Sequence, residues 1–232
     1  MAVYGVYGSI CTPKKVPNKP NQYQQIHWAI WFYLFLGLTG IASAIYHATL
    51  HLYSHLFDEI SESWAVLSIM YSLIEANLTL PTQNSTKKTL LIRTAGFLHG
   101  TIMSFLIINI NGFCEIHLFL LGISIILLVR NKTNQWKSEF GQKATKTNAL
   151  VHSWLTNSLT YILVAFMLWT VDRVFCDTMS GLIVNPQFHA WWHILCAVGL
   201  YMAIQVALHC FDFNSKHSLA FSSPLPQILF AF

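Results

Sequence analysis

Six long runs of apolar residues, separated by short polar stretches, follow one another along the chain. Their edges fall at roughly Trp28–Tyr46, Ile60–Leu80, Thr94–Ile110, Phe113–Val129, Leu155–Val171 and Phe188–Phe211. Each is about as long as an α-helix must be to cross the hydrocarbon core of a bilayer. Inside that core only helices and closed barrels satisfy the backbone. The pattern predicts an all-α, polytopic membrane helix bundle with six spans. The second run is the least apolar, because Glu62, Glu75 and Asn77 interrupt it. A helix carrying such groups is expected to face the bundle interior rather than lipid. On this map residues 1–27 form an N-terminal segment, 28–211 the bundle and 212–232 a tail. No repeat, low-complexity tract or linker divides the chain further.

Composition supports the membrane reading. Of 232 residues, 54% are hydrophobic and 9% charged, whereas soluble domains carry about a quarter charged residues. Residues 1–20 lack the basic start and apolar core of a cleavable signal peptide. The five cysteines are irregularly spaced and form neither a disulfide framework nor a CxxC metal signature. The net charge of +4 matters less than where the charges fall. Lys14, Lys15 and Lys19 precede the first span, and Lys87, Lys88 and Arg93 lie between the second and third. Arg130, Lys132, Lys137, Lys143 and Lys146 lie between the fourth and fifth, and Lys216 follows the sixth. All twelve fall on one side of a six-span map; Arg173 alone falls on the other. By the positive-inside rule the twelve are cytosolic, as are both termini. The sequons at Asn77, Asn84 and Asn131 then lie at cytosolic turns and are expected to carry no glycan.

Candidate chemistry gathers at the opposite face. The first span ends in Ser43-Ala-Ile-Tyr-His47, Asp58-Glu59 opens the second, and His189-Ala-Trp-Trp-His193 opens the last. Ser43 and His47 are four residues apart, as are His189 and His193, so each pair shares a helix face. These groups are able to meet in one pocket at similar membrane depth. An HxxxH pair is weak by itself: eleven histidines give about half a pair by chance. The chain indeed holds two more, His47/His51 and His51/His55. His51 and His55 read as interfacial residues of a short polar loop. His189 and His193 enter a span, where ionisable groups are functional by default. His27, His99, His117, His152, His209 and His217 have no partner spacing and read as interfacial or packing residues.

The segments Gly40-Ile-Ala-Ser43-Ala-Ile-Tyr-His47-Ala-Thr-Leu50, Leu56-Phe-Asp58-Glu59, Trp169-Thr-Val-Asp172-Arg173-Val-Phe175-Cys176 and His189-Ala-Trp-Trp192-His193-Ile-Leu resemble motifs of the alkaline ceramidases. That family belongs to a superfamily of membrane hydrolases with S-x-x-x-H, D and H-x-x-x-H motifs. The resemblance runs in order from about Trp28 to Asp212. It implies a seven-helix fold with an intramembrane Zn2+ held by His47, His189 and His193, and Asp58 and Ser43 in the catalytic shell. It also implies ceramide as substrate, and a place in the endoplasmic reticulum or Golgi membrane. Two family features have no counterpart here: the first helix, and an acidic Asp-Trp-Cys-Glu segment before it. Residues 1–8 resemble the tail of that helix, so a truncated isoform or an incomplete gene model is expected. The acidic segment supplies the family's Ca2+ site, so no calcium site is assigned. It also supplies a natural partner for Cys176, which here is expected to be free or to pair with Cys114.

The resemblance implies a mechanism in which a three-histidine zinc activates water. Asp58 then serves as general base and acid, and Ser43 donates to the oxyanion. Ser43 equally suits close helix packing or a bond to its own backbone. Asp58 equally suits a helix N-cap. Trp191 and Trp192 would line the substrate path, or belong to an interfacial aromatic belt. Asp172 and Arg173 are expected to pair and fix helix ends. The competing functions are a lipid-binding receptor of the same superfamily, a catalytically impaired fragment, and a metal or proton transporter. The last requires polar groups through the whole depth of the bundle.

Overall fold

The computed structural model describes residues 20–78, 85–140, 143–175 and 188–212. They form six helices: α1 (Pro20–Thr49), α2 (Leu52–Leu78), α3 (Ser85–Asn109), α4 (Phe113–Phe140), α5 (Lys143–Val174) and α6 (Phe188–Asp212). No strand occurs among the described residues. Over its described residues every apolar run thus corresponds to a helix, and the first five helices extend beyond their runs into more polar turns. The expectations placed on residues 1–19, on the tail from 213, on Asn84 and on Cys176 lie outside the described residues.

Five helices are long and apolar enough to cross a membrane, namely all but α2. The exception is informative. At 27 residues, α2 is about 40 Å long, so length is not what sets it apart. It packs against α1, α3, α4 and α6, and fourteen of its residues are buried, Asp58, Ser61, Ser63, Ser68, Ser72 and Glu75 among them. Its neighbours, rather than lipid, meet its polar groups, which is why it tolerates them. Glu75 is fully buried and accepts a hydrogen bond from Trp28 Nε1 of α1, with Arg93 of α3 3.8 Å away. Lys132 of α4 donates to the Ala76 carbonyl across 2.7 Å, satisfying a group that the end of α2 leaves open. Asn131 Nδ2 donates to Asn77 Oδ1 across 3.0 Å.

Side-chain pairs fix the directions of the helices. Trp28 meets Glu75 and Thr39 meets Ser61, so α1 and α2 are antiparallel. Trp64 Nε1 donates to Ser104 Oγ, and Arg93 faces Glu75, so α2 and α3 are antiparallel. Ser63 meets His117 and Asn77 meets Asn131, making α2 and α4 parallel. Ser158 donates to the Gly199 carbonyl while Trp169 meets Trp192, making α5 and α6 antiparallel. The chain therefore runs up and down. One end gathers Lys87, Lys88, Arg93, Arg130, Lys132 and Lys137; the other gathers His47, Asp58, Glu59, Glu115, Arg173 and His193.

Three local expectations are corrected. Asp58 is not an N-cap, because α2 starts at Leu52 and Asp58 sits inside the helix. His55 is likewise helical, leaving only Leu50 and His51 as the connection. Leu50 takes the left-handed conformation there, φ 52°, and its N–H closes the last turn of α1 on the Tyr46 carbonyl. Arg173 reaches Glu115 of α4 at 4.0 Å and lies over the Trp169 ring; no ion pair joins it to Asp172 among the described residues. Adjacent helical residues point about 100° apart and do not face one another.

Close helix approach on α3 carries a stability prediction. A Cβ added at Gly100 would stand 2.5 Å from the Trp64 ring, and that ring is held by its bond to Ser104. Gly100→Ala is expected to destabilise by about 1–3 kcal/mol through overpacking. Gly122→Ala, where nothing among the described residues lies within 4 Å, is expected to change little. Thermal unfolding of the two variants in detergent separates them.

Candidate functional site

Helix α1 carries Thr39, Ser43 and His47 at intervals of four, a ladder along one face. Helix α6 runs antiparallel to α1, as Gln205 Nε2 donating to Tyr33 Oη shows at the far end. That direction sets His193 beside the top of the ladder. Ser43 Oγ lies 2.9 Å from His193 Nε2, and His47 Nε2 lies 3.4 Å from the same nitrogen. Asp58, from the third helix of the group, is hydrogen-bonded to Ser43. Ser43 and Asp58 are buried, His193 is half-buried and His47 is exposed. The four side chains thus form a graded pocket with its mouth at the bundle end. The Ser43 hydroxyl faces His193 and Asp58 rather than packing silently between helices.

Asp58 lies two turns into α2 and is buried there. Asp58 Oδ1 is buried with no hydrogen-bond partner among the described residues, so one lone-pair face is open to a proton or ligand.

The donor set can be tested against a cation. Two nitrogens, each about 2.0–2.1 Å from one tetrahedral zinc, stand about 3.3–3.4 Å apart. The Nε2–Nε2 spacing of His47 and His193 is 3.4 Å, which fits two imidazoles sharing an ion. His189 lies one turn before His193 on the same helix, and its side chain is outside the described residues. Among the described residues no set of three His, Cys, Asp or Glu side chains gathers as a metal site.

The other histidine pairs part company here. His51 is exposed in the connection and its Nδ1 contacts the Tyr53 N–H. His55 lies 3.6 Å from Glu59 and packs its ring on Tyr46. Cys114 is buried, with its Sγ 3.6 Å from the Glu59 carbonyl.

Matching the chain to protein families decides its kinship: residues 1–223 fit the model described as Ceramidase. The chain belongs to the ceramidase family. Curated relatives agree. An alkaline ceramidase 3 of Mus musculus is 28% identical over 189 residues, covering 76% of this chain and 64% of the relative. An Arabidopsis thaliana alkaline ceramidase is 29% identical over 179 residues, covering 75% and 62%. One from Caenorhabditis elegans is 27% identical over 186 residues, covering 79% and 62%. This ceramidase-family chain therefore spans less than two thirds of the length of these relatives.

Two contacts around the pocket join residues that lie far apart in the chain. Trp169 of α5 meets Trp192 with ring centroids 6.1 Å apart, whereas Trp191 is about half exposed on the outer face of α6. Thr39 of α1 bonds Ser61 of α2 beneath Ser43 and Asp58. The four-residue ladder through Thr39, Ser43 and His47 was the available signal for the second; nothing in the spacing pointed to the first.

Proposed function

We propose that this chain hydrolyses the amide bond of ceramide inside the bilayer, releasing sphingosine and a fatty acid. His47, His189 and His193 hold a zinc ion, and the pocket faces the lumen of the endoplasmic reticulum or Golgi. The cation-rich bundle end then faces the cytosol. One observation carries the reading: Ser43 and His47 converge on His193 Nε2, with Asp58 buried behind them, in a chain of the ceramidase family.

Held there, a zinc ion would supply a Lewis acid for the amide carbonyl and for the attacking water. Asp58 removes the proton of the attacking water at its open Oδ1 and later returns it to the leaving nitrogen. Ser43 Oγ donates to the oxygen that gains charge as the carbonyl becomes tetrahedral. Trp192, backed by Trp169, gives the acyl chain an apolar wall. A substrate that partitions into lipid reaches such a pocket without leaving the bilayer.

A second reading rests on the same distance. With Ser43 Oγ 2.9 Å from His193 Nε2, serine could act as nucleophile and histidine as its base. Ser43→Ala separates the two. Loss of an oxyanion donor lowers kcat about 10²–10³-fold and leaves zinc content unchanged. Loss of a nucleophile abolishes turnover. Fatty-acid release from ceramide by the purified chain, with zinc measured in the same preparation, is the assay.

A further inference from the structure

We infer that Thr39 and Ser61 are positioning residues that hold Ser43 and Asp58 at matching depth. The inference rests on the catalytic roles proposed above for those two groups. Thr39 is 1% exposed and Ser61 2% exposed, so both hydroxyls are sealed between α1 and α2. Thr39 Oγ1 donates to Ser61 Oγ across 3.0 Å. Ser61 Oγ in turn donates to the carbonyls of Phe57, at 2.8 Å, and of Asp58 itself, at 3.0 Å. The two protons are thereby used in one direction, from α1 to the backbone that carries Asp58. Thr39 retains the Phe35 carbonyl, 2.9 Å away, as an alternative acceptor within its own helix.

The placement makes this bond a register pin. Thr39 is one turn before Ser43 on α1, and Ser61 is three residues after Asp58 on α2. The hydroxyl pair therefore forms the layer directly beneath the Ser43–Asp58 layer. Most of the α1–α2 contact around it is apolar, with Phe32, Leu36, Ala65 and Ile69 buried. Apolar packing sets how near two helices come, and a directional hydrogen bond adds a constraint on which residues face each other. Sliding by one residue shifts the facing groups by about 1.5 Å. A misplacement of about 1 Å can cost on the order of 10²-fold in rate. Hydroxyl bonds between membrane helices contribute modestly to stability, so the larger effect falls on geometry.

Thr39→Val keeps the shape and removes the donor, Thr39→Ser restores it, and Ser61→Ala removes the acceptor. In Thr39→Val and Ser61→Ala, kcat on ceramide is expected to fall about 10–100-fold, with KM and zinc content unchanged. Thr39→Ser should recover most of kcat, and the double variant should be no worse than either single. A second measurement reads register without turnover: the yield of oxidative cross-linking between Ser43→Cys and Asp58→Cys, with and without Thr39→Val. A drop of about threefold or more is expected, since disulfide geometry tolerates little displacement. An unchanged yield, or a kcat within twofold of the parent, overturns the inference. So does a kcat loss that Thr39→Ser fails to recover. If the parent chain neither binds zinc nor turns over ceramide, the proposed function fails, and the cross-linking yield alone decides the positioning role.

Discussion

Replacing His193 with alanine is expected to remove metal and activity together. His193 Nε2 is the common point of the pocket, 2.9 Å from Ser43 Oγ and 3.4 Å from His47 Nε2. Losing it leaves His47 and His189 on separate helices with no shared third ligand. Zinc in the purified protein should fall from about one per chain to a small fraction of that, as expected where three protein ligands become two. A Lewis acid contributes several kcal/mol to such a reaction, so ceramide turnover should drop by at least about 10³-fold. The fold should survive, because His193 is only half-buried at the pocket mouth. Elemental analysis and fatty-acid release on the same sample read both quantities. Zinc retained at the parent level would remove His193 as a ligand.

Asp58→Asn is expected to do the opposite to the metal and nearly the same to the rate. Asparagine keeps the size of the side chain and still accepts the Ser43 hydrogen bond, so α1 and α2 stay in place. It cannot take a proton at the position of Oδ1, the atom with no hydrogen-bond partner among the described residues. General acid–base catalysis contributes about 10²–10⁴-fold, and kcat should fall by that amount. Zinc content and KM should stay close to those of the parent. The contrast between the two variants is the signature of a site in which the histidines bind and the carboxyl moves protons. Undiminished turnover in Asp58→Asn would end the general-base assignment.

Much of the bundle was legible because lipid is an unforgiving solvent. It requires about twenty apolar residues per crossing and closes every backbone bond within the helix, so the six runs announced themselves. The special place of α2 was legible too: Glu62, Glu75 and Asn77 are affordable only where protein surrounds them. What the pattern hid were the ends. Leu52–Phe57 reads as loop because His51, Ser54 and His55 make it polar, yet it is the wetted first turns of α2. Asp58 therefore looked like a cap when it is an interior residue. Asp172 and Arg173 looked paired because they are neighbours in the chain, but helical geometry turns them apart and sends Arg173 to Glu115.

The candidate site was legible in its parts and not in its contacts. Spacing by four placed Ser43 with His47 on one face, and chain order made His193 their partner only once α1 and α6 were known to be antiparallel. Spacing gave no hint of the polar groups that run deeper. His117 is buried, with its Nδ1 2.9 Å from Ser63 Oγ, and His99 meets both His117 and Tyr71. These pairs arise between helices, where sequence separation carries no periodic signal. Polar side chains therefore occur along much of α2, where His117 and His99 join the Glu62, Glu75 and Asn77 that the sequence pattern already showed.

The most direct test is a zinc titration of the purified chain against ceramide turnover. Chelation should bring fatty-acid release to background. Re-addition should restore it in proportion to bound zinc, with saturation at about one ion per chain. Full turnover in the chelated protein would contradict the zinc site and leave Ser43 and His193 as the reacting pair.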